Sequence, residues 1–155
     1  MNKLFIGREK EQRQLKEYLS SDQSEFIAVY GRRRVGKTFL IQQVIGNNYA
    51  FYVAGMNNVS MRIQLKNFMQ GMRKNGEDIH TADTWLDAFI ALEDYLDSLP
   101  EGNKIVFIDE MPWMDTPRSN FISGLEHFWN SWASWRDDIK LIVCGSATSW
   151  ILNNL

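Results

Sequence analysis

The chain has 155 residues, 45% of them hydrophobic and 13% aromatic, which suits a packed core and excludes disorder as the dominant state. Its 17 basic residues stand against 19 acidic ones, a formal net charge of -2, so no overall basic field announces a nucleic-acid binder. No apolar run approaches the roughly 18 residues of a membrane span, the first residues lack the apolar stretch of a signal peptide, and the single cysteine, Cys144, has no partner for an internal disulfide. The expectation is one cytoplasmic domain over residues 1–155, with no membrane partner.

From the N-terminus, Leu4-Phe5-Ile6-Gly7-Arg8-Glu9 leads into a charged helix, about Glu9 to Ser20, whose Leu15, Tyr18 and Leu19 form a short apolar stripe. Phe26 to Tyr30 is continuously apolar, as a strand buried on both faces should be. Phe39, Leu40, Ile41, Val44 and Ile45 then recur at helical spacing until Gly46-Asn47-Asn48 stops them. Between this strand and helix lies Gly31-Arg32-Arg33-Arg34-Val35-Gly36-Lys37-Thr38, the phosphate-loop pattern of glycine, four residues and Gly-Lys-Thr, in the context it requires. Backbone N–H groups in such a loop curl round a phosphate at the positive end of the helix dipole. Lys37 adds a point charge for the outer phosphates. Gly31 and Gly36 are expected where a Cβ would block the turn or the phosphate's approach. Arg32, Arg33 and Arg34 read either as solvated charge beside phosphate or as direct phosphate or nucleic-acid contacts.

Tyr49 to Ala54 is a second strand, ended by Gly55. Met61, Leu65, Phe68, Met69 and Met72 mark a helix stopped by Lys74-Asn75-Gly76, the methionines serving as core filler. A polar loop containing His80 follows. A helix from Asp83 or Thr84 then lines up Trp85, Phe89, Leu92, Leu96 and Leu99 before Pro100-Glu101-Gly102-Asn103 breaks it.

Lys104 to Ile108 is again a strand, apolar after its first residue, and ends abruptly in Asp109-Glu110. In open α/β sheets ligands bind beyond the carboxyl ends of the strands, where the phosphate loop also opens. Asp109 is therefore expected to hold Mg²⁺ together with the Thr38 hydroxyl, and Glu110 to polarise a water for attack on the terminal phosphate. Met111 to Arg118 is a stiff, proline-bearing aromatic loop. From Ser119, an expected cap, a helix carries Phe121, Leu125, Phe128, Trp132 and Trp135 toward the core. His127 reads as a solvated polar position on it. Ile139 to Cys144 is a further strand, Gly145 to Ser149 a polar connection, and Trp150-Ile151-Leu152 opens a helix.

The box Phe5-Ile6-Gly7-Arg8-Glu9, the loop Gly31 to Thr38, the strand end Ile108-Asp109-Glu110-Met111-Pro112-Trp113 and Val143-Cys144-Gly145-Ser146 together resemble the archaeal-type ATPase family, in the AAA+/STAND branch of P-loop NTPases. The likeness spans nearly the whole chain, with its landmarks in the family's order. It implies that Phe5, Ile6, Gly7 and Arg8 flank the adenine and ribose, that Gly31 to Thr38 is Walker A and Ile105 to Glu110 is Walker B, and that Ser146 is the sensor-one polar residue, a role Thr148 shares as a candidate. Relatives continue into a fifth strand, a helical lid and a winged-helix region. The chain is accordingly expected to be truncated after sensor one, with the strand Phe26 to Tyr30 left at a sheet edge.

The fold expected is a three-layer α/β P-loop NTPase with a central parallel sheet, ordered as in the 5-1-4-3-2 arrangement without strand five. The expected ligands are ATP or ADP and Mg²⁺. The leading function is Mg²⁺-dependent ATP hydrolysis. Its rivals are an ATP-binding switch or interaction module with negligible turnover and, less readily, a phosphotransferase. A homo-oligomer, or a DNA or protein partner reached through further segments, is compatible with the same reading.

Overall fold

The computed structural model describes residues 2–4, 9–30, 36–72, 81–146 and 148–155. Its strands are β1 (Asn2–Leu4), β2 (Glu25–Tyr30), β3 (Phe51–Ala54), β4 (Lys104–Asp109) and β5 (Ile139–Gly145). The helices are α1 (Glu9–Leu19), α2 (Lys37–Ile45), α3 (Met61–Gln70), α4 (Trp85–Asp97), α5 (Phe121–Ser131) and α6 (Thr148–Asn154), with single 3-10 turns at Met111–Met114 and Ala133–Trp135. All the strand pairings are parallel, in the order β1-β2-β5-β4-β3.

The apolar runs of β2, β4 and β5 are explained by burial on both faces. Alternate residues serve opposite layers. Ile27, Val29, Phe107, Ile142 and Cys144 pack under α1 and α2 with Leu15, Ile41 and Ile45. Phe26, Ala28, Val106, Ile108, Leu141 and Val143 pack under α3, α4 and α5. That second layer is aromatic at its centre. The fully buried Trp85 meets Phe121 edge-on at 4.9 Å and Phe68 edge-on at 5.4 Å, the geometry favoured by the ring quadrupoles.

The expected order of the four long strands is present, with the phosphate-loop strand β2 beside β5 and β4 beyond it. The expected free edge is not. Asn2, Lys3 and Leu4 pair in parallel with Ile27, Ala28 and Val29, so β2 is an interior strand and β1 takes the outer position. A three-residue strand of mixed polarity has no periodic signal to betray it, and its backbone pairing satisfies the N–H and C=O groups that β2 would otherwise leave open.

Smaller differences have local causes. β3 begins at Phe51, and Tyr49 lies outside it, 44% exposed. The stiff loop after β4 contains a 3-10 turn, with Pro112 near its start, where no N–H is needed. α5 stops at Ser131 because Trp132 leaves helical geometry, at φ -133° and ψ -64°. Trp132 still leans on the core, whereas Trp135, expected inside, is 84% exposed with its indole N–H donated to the Asn130 carbonyl at 3.0 Å. α3 ends at Gln70 with Gly71 as its cap, ahead of the expected stop at Lys74-Asn75-Gly76, and those three residues and the loop residue His80 lie outside the described residues.

Candidate functional site

β2, β4 and β5 all end at one edge of the sheet, and the residues singled out by sequence gather there. The pairings Val29 with Cys144 and Ile108 with Val143 set the ends of the three strands level. α2 starts from the same edge. Its first two residues are Lys37 and Thr38, preceded by Gly36 in the left-handed region at φ 73°. An added Cβ at Gly36 would meet no described atom within 4 Å, so within the chain it is the left-handed turn that calls for glycine here.

The strongest link is between residues far apart in sequence. The Thr38 hydroxyl donates to Asp109 Oδ2 at 2.7 Å. Asp109 Oδ1 accepts the backbone N–H of Glu110 at 2.8 Å. Both carboxylate oxygens are thus oriented, on a side chain only 4% exposed. Lys37, the first residue of α2, is 7% exposed.

The neighbours register the concentrated charge. Burial pushes the Cys144 thiol up, the Asp109 carboxylate pushes it further, and the Lys37 ammonium opposes them. Burial raises the Tyr52 phenol too, with Asp109 again the next cause. Asp109 and Glu110 therefore cast a negative field over the ends of β3, β4 and β5, the kind of field that a cation at this edge would balance.

A magnesium ion suits this donor set. Mg²⁺ favours hard oxygen ligands, keeps several waters, and is held by one or two carboxylates plus substrate phosphates rather than by an all-protein cage. A carboxylate and a hydroxyl converge here, and the described residues contain no cluster of three or more acidic, His or Cys side chains of the sort that cages a metal.

Glu110 follows Asp109 in a left-handed conformation, φ 49° and ψ 39°, and opens the Met111–Met114 turn. The other described non-glycine residues with positive φ are Asn58, in the β3–α3 loop, and Arg118 and Asn120, in the β4–α5 loop. Both loops lie at this edge. Such conformations cost roughly 1–3 kcal/mol each and gather at functional sites. Gly55 is pressed against the Glu110 carbonyl, where a Cβ would sit 2.3 Å from the oxygen, and Gly145 lies against the Pro112 ring.

Ser146 is half-buried immediately beyond β5, at the same edge. Phe5, Ile6, Gly7 and Arg8, and the loop residues Gly31, Arg32, Arg33, Arg34 and Val35, lie outside the described residues, as do the side chains of Thr148 and Ser149. Sequence reasoning missed Tyr52 and Gln64 as neighbours of this edge. For Gln64 a signal existed: it is a polar residue on the apolar stripe of Met61, Leu65 and Phe68.

The fold is that of a P-loop ATPase, and it has relatives. Residues 5–155 match the family model described as an ATPase domain predominantly from Archaea. An uncharacterized protein of Methanocaldococcus jannaschii, MJECL04, is 32% identical over 152 residues, 94% of this chain and 30% of that protein. The structure of the Walker-type ATPase PABY2304 of Pyrococcus abyssi superimposes with a TM-score of 0.63 at 18% identity, over 97% of this chain and 48% of that one. The chain thus spans about a third of the length of the first relative and half of the second. No described helix is long and apolar enough to cross a membrane. With the match running over nearly its whole length, the chain belongs to the family of ATPase domains found predominantly in Archaea.

Proposed function

We propose that the chain binds ATP at the carboxyl edge of the sheet and hydrolyses it with Mg²⁺. The observation that carries this reading is the 2.7 Å hydrogen bond between Thr38, at the start of α2, and Asp109, at the end of β4. Those two residues come from the two sequence motifs that an NTP site needs, and they meet.

In this reading the loop Gly31 to Thr38 cradles the phosphates, aided by the N-terminal end of α2. Lys37 neutralises charge on the outer phosphates. Thr38 and Asp109 hold the magnesium ion, which when bound neutralises charge that develops on the phosphate oxygens. Glu110 accepts a proton from the attacking water, its left-handed backbone bounded on one side by Gly55. Ser146 is the polar residue that senses the terminal phosphate. The box Phe5 to Arg8 flanks the base. We place the chain in the AAA+/STAND branch and read residues 1–155 as one nucleotide-binding domain of a cytoplasmic protein, whose oligomer, DNA or protein partners act through other segments.

The test is steady-state phosphate release from ATP, with Mg²⁺ and with a chelator. Release that needs Mg²⁺ is expected. Tight ATP binding without release would replace hydrolysis by a nucleotide-dependent switch, and absence of ATP binding would overturn the reading.

A further inference from the structure

The loops that follow β3 and β4 are joined by one buried amide. Gln64, on α3, is 1% exposed. Its Nε2 donates to the Met56 carbonyl at 2.5 Å and to the Trp113 carbonyl at 3.0 Å, while its Oε1 accepts the Met56 N–H at 3.1 Å. Both Nε2 protons are engaged, in two different loops. The chain of contacts then runs to the acid pair: the Trp113 N–H donates to the Glu110 carbonyl at 3.2 Å, and the Gly55 N–H donates to the Asp109 carbonyl at 2.9 Å.

The strain described above explains why a clamp is needed. Glu110 in a left-handed conformation relaxes unless its surroundings hold it. Gly55 blocks movement on one side, because it sits against the Glu110 carbonyl, but a steric wall does not stop the turn from lifting away. Gln64 ties down the far end of that turn through the Trp113 carbonyl. It touches neither Lys37 nor Thr38 in this arrangement, which stand on another helix across the sheet.

We propose that Gln64 is a positioning residue: it fastens the Met111–Met114 turn to the β3–α3 loop and so fixes the backbone that aims Glu110. The proposal rests on the hydrolytic reading for its kinetic consequence, and on geometry alone for its structural one. A side chain misplaced by about 1 Å costs on the order of 100-fold in rate. Gln64→Met preserves the volume of the side chain and removes its hydrogen bonds. It is expected to lower kcat about 10- to 100-fold while leaving KM and the ATP dissociation constant within about twofold, the pattern of an interaction needed only in the transition state.

Asn67→Leu is the control. Asn67 also sends an amide from α3 to the end of β3, donating to the Ala54 carbonyl at 2.7 Å, but it has no bond to the β4 loop. Its loss is expected to lower thermal stability and leave kcat unchanged. If both variants lower kcat in proportion to lost stability, Gln64 is merely structural and the proposal fails.

Hydrogen exchange supplies an arm that needs neither turnover nor a folded variant. In the wild-type protein the Met56 and Trp113 amides are expected to exchange through one shared opening, with the same dependence on low urea. Separate openings would overturn the clamp. A wild-type protein that releases no phosphate but opens both loops together defeats the hydrolytic reading and leaves the clamp standing.

Discussion

The two edges of the sheet carry the same kinds of polar side chain and use them in opposite ways. At the amino edge, the Arg136 guanidinium makes a two-pronged contact with Asp138, Nε to Oδ1 and an Nη to Oδ2, both at 2.9 Å, and reaches Asp97 with its other Nη. Lys104 joins Asp138 at 3.0 Å, and the fully buried Lys140 donates to the Ser21 carbonyl and hydroxyl and to the Gln23 carbonyl. The starts of β4 and β5 are pinned by charge neutralised within the protein. At the carboxyl edge, two adjacent acids stand over a sheet end, the loops carry left-handed residues, and the Thr38 hydroxyl rests on Asp109. Among the described residues, the amino edge ties its charges into ion pairs, and the carboxyl edge is where the left-handed non-glycine residues gather. Polarity alone does not distinguish them; strain does.

Substitutions should separate the edges. The largest effect belongs to Glu110→Gln, which keeps the shape and loses the proton acceptor. It should reduce phosphate release by about 100- to 10,000-fold, the usual worth of a general base, with ATP affinity unchanged. Next comes Lys37→Met, chosen over alanine because Lys37 is buried and a cavity would confuse the result. Losing charge-assisted hydrogen bonds worth roughly 1.5–3 kcal/mol should weaken ATP binding about 10- to 100-fold, read by calorimetry with the melting temperature measured alongside.

The smallest effect on function, and the one confined to stability, belongs to the amino edge. Arg136→Ala should cost about 1–3 kcal/mol in urea unfolding because it strips a partly buried carboxylate of its main partner, while ATP affinity stays as it was. The same pair sets a pH dependence. Hydrogen bonding from Arg136, then from Lys104, holds the Asp138 carboxyl at about 2, below the ordinary carboxylate value. A group whose folded-state value is depressed gives stability that is complete above the unfolded value of about 4 and fades as the pH falls toward the folded one. Unfolding free energy should therefore drop between about pH 4 and pH 2, and Arg136→Ala should flatten that slope.

Much of this division was legible in the sequence, for physical reasons. β2, β4 and β5 are buried on both faces and so read as apolar runs from Phe26, Ile105 and Leu141 onward, and the phosphate loop has fixed spacing because a phosphate has a fixed size. The strand end at Asp109 stood out only beside the phosphate loop, since a strand closing in two solvated acids is common by itself. What was hidden depends on pairing across the chain. β1 has three residues and gains its identity only from β2. Trp135 kept helical spacing with Phe128, yet the backbone left the helix at Trp132, and spacing says nothing once the helix has ended. Gln64 sat in an apolar stripe as an anomaly whose meaning needed Met56 and Trp113 beside it.

The central claim is that Thr38 and Asp109 form the metal side of a nucleotide site. Calorimetric titration of ATP into the wild-type chain and into Asp109→Asn, each with Mg²⁺ and with a chelator, tests it most directly. The account predicts that Mg²⁺ tightens ATP binding to the wild type by about tenfold or more, a gain of roughly 1.4 kcal/mol, and that Asp109→Asn loses this gain while still binding the free nucleotide. ATP binding that is absent from the wild type, or a Mg²⁺ gain that survives in Asp109→Asn, would contradict it.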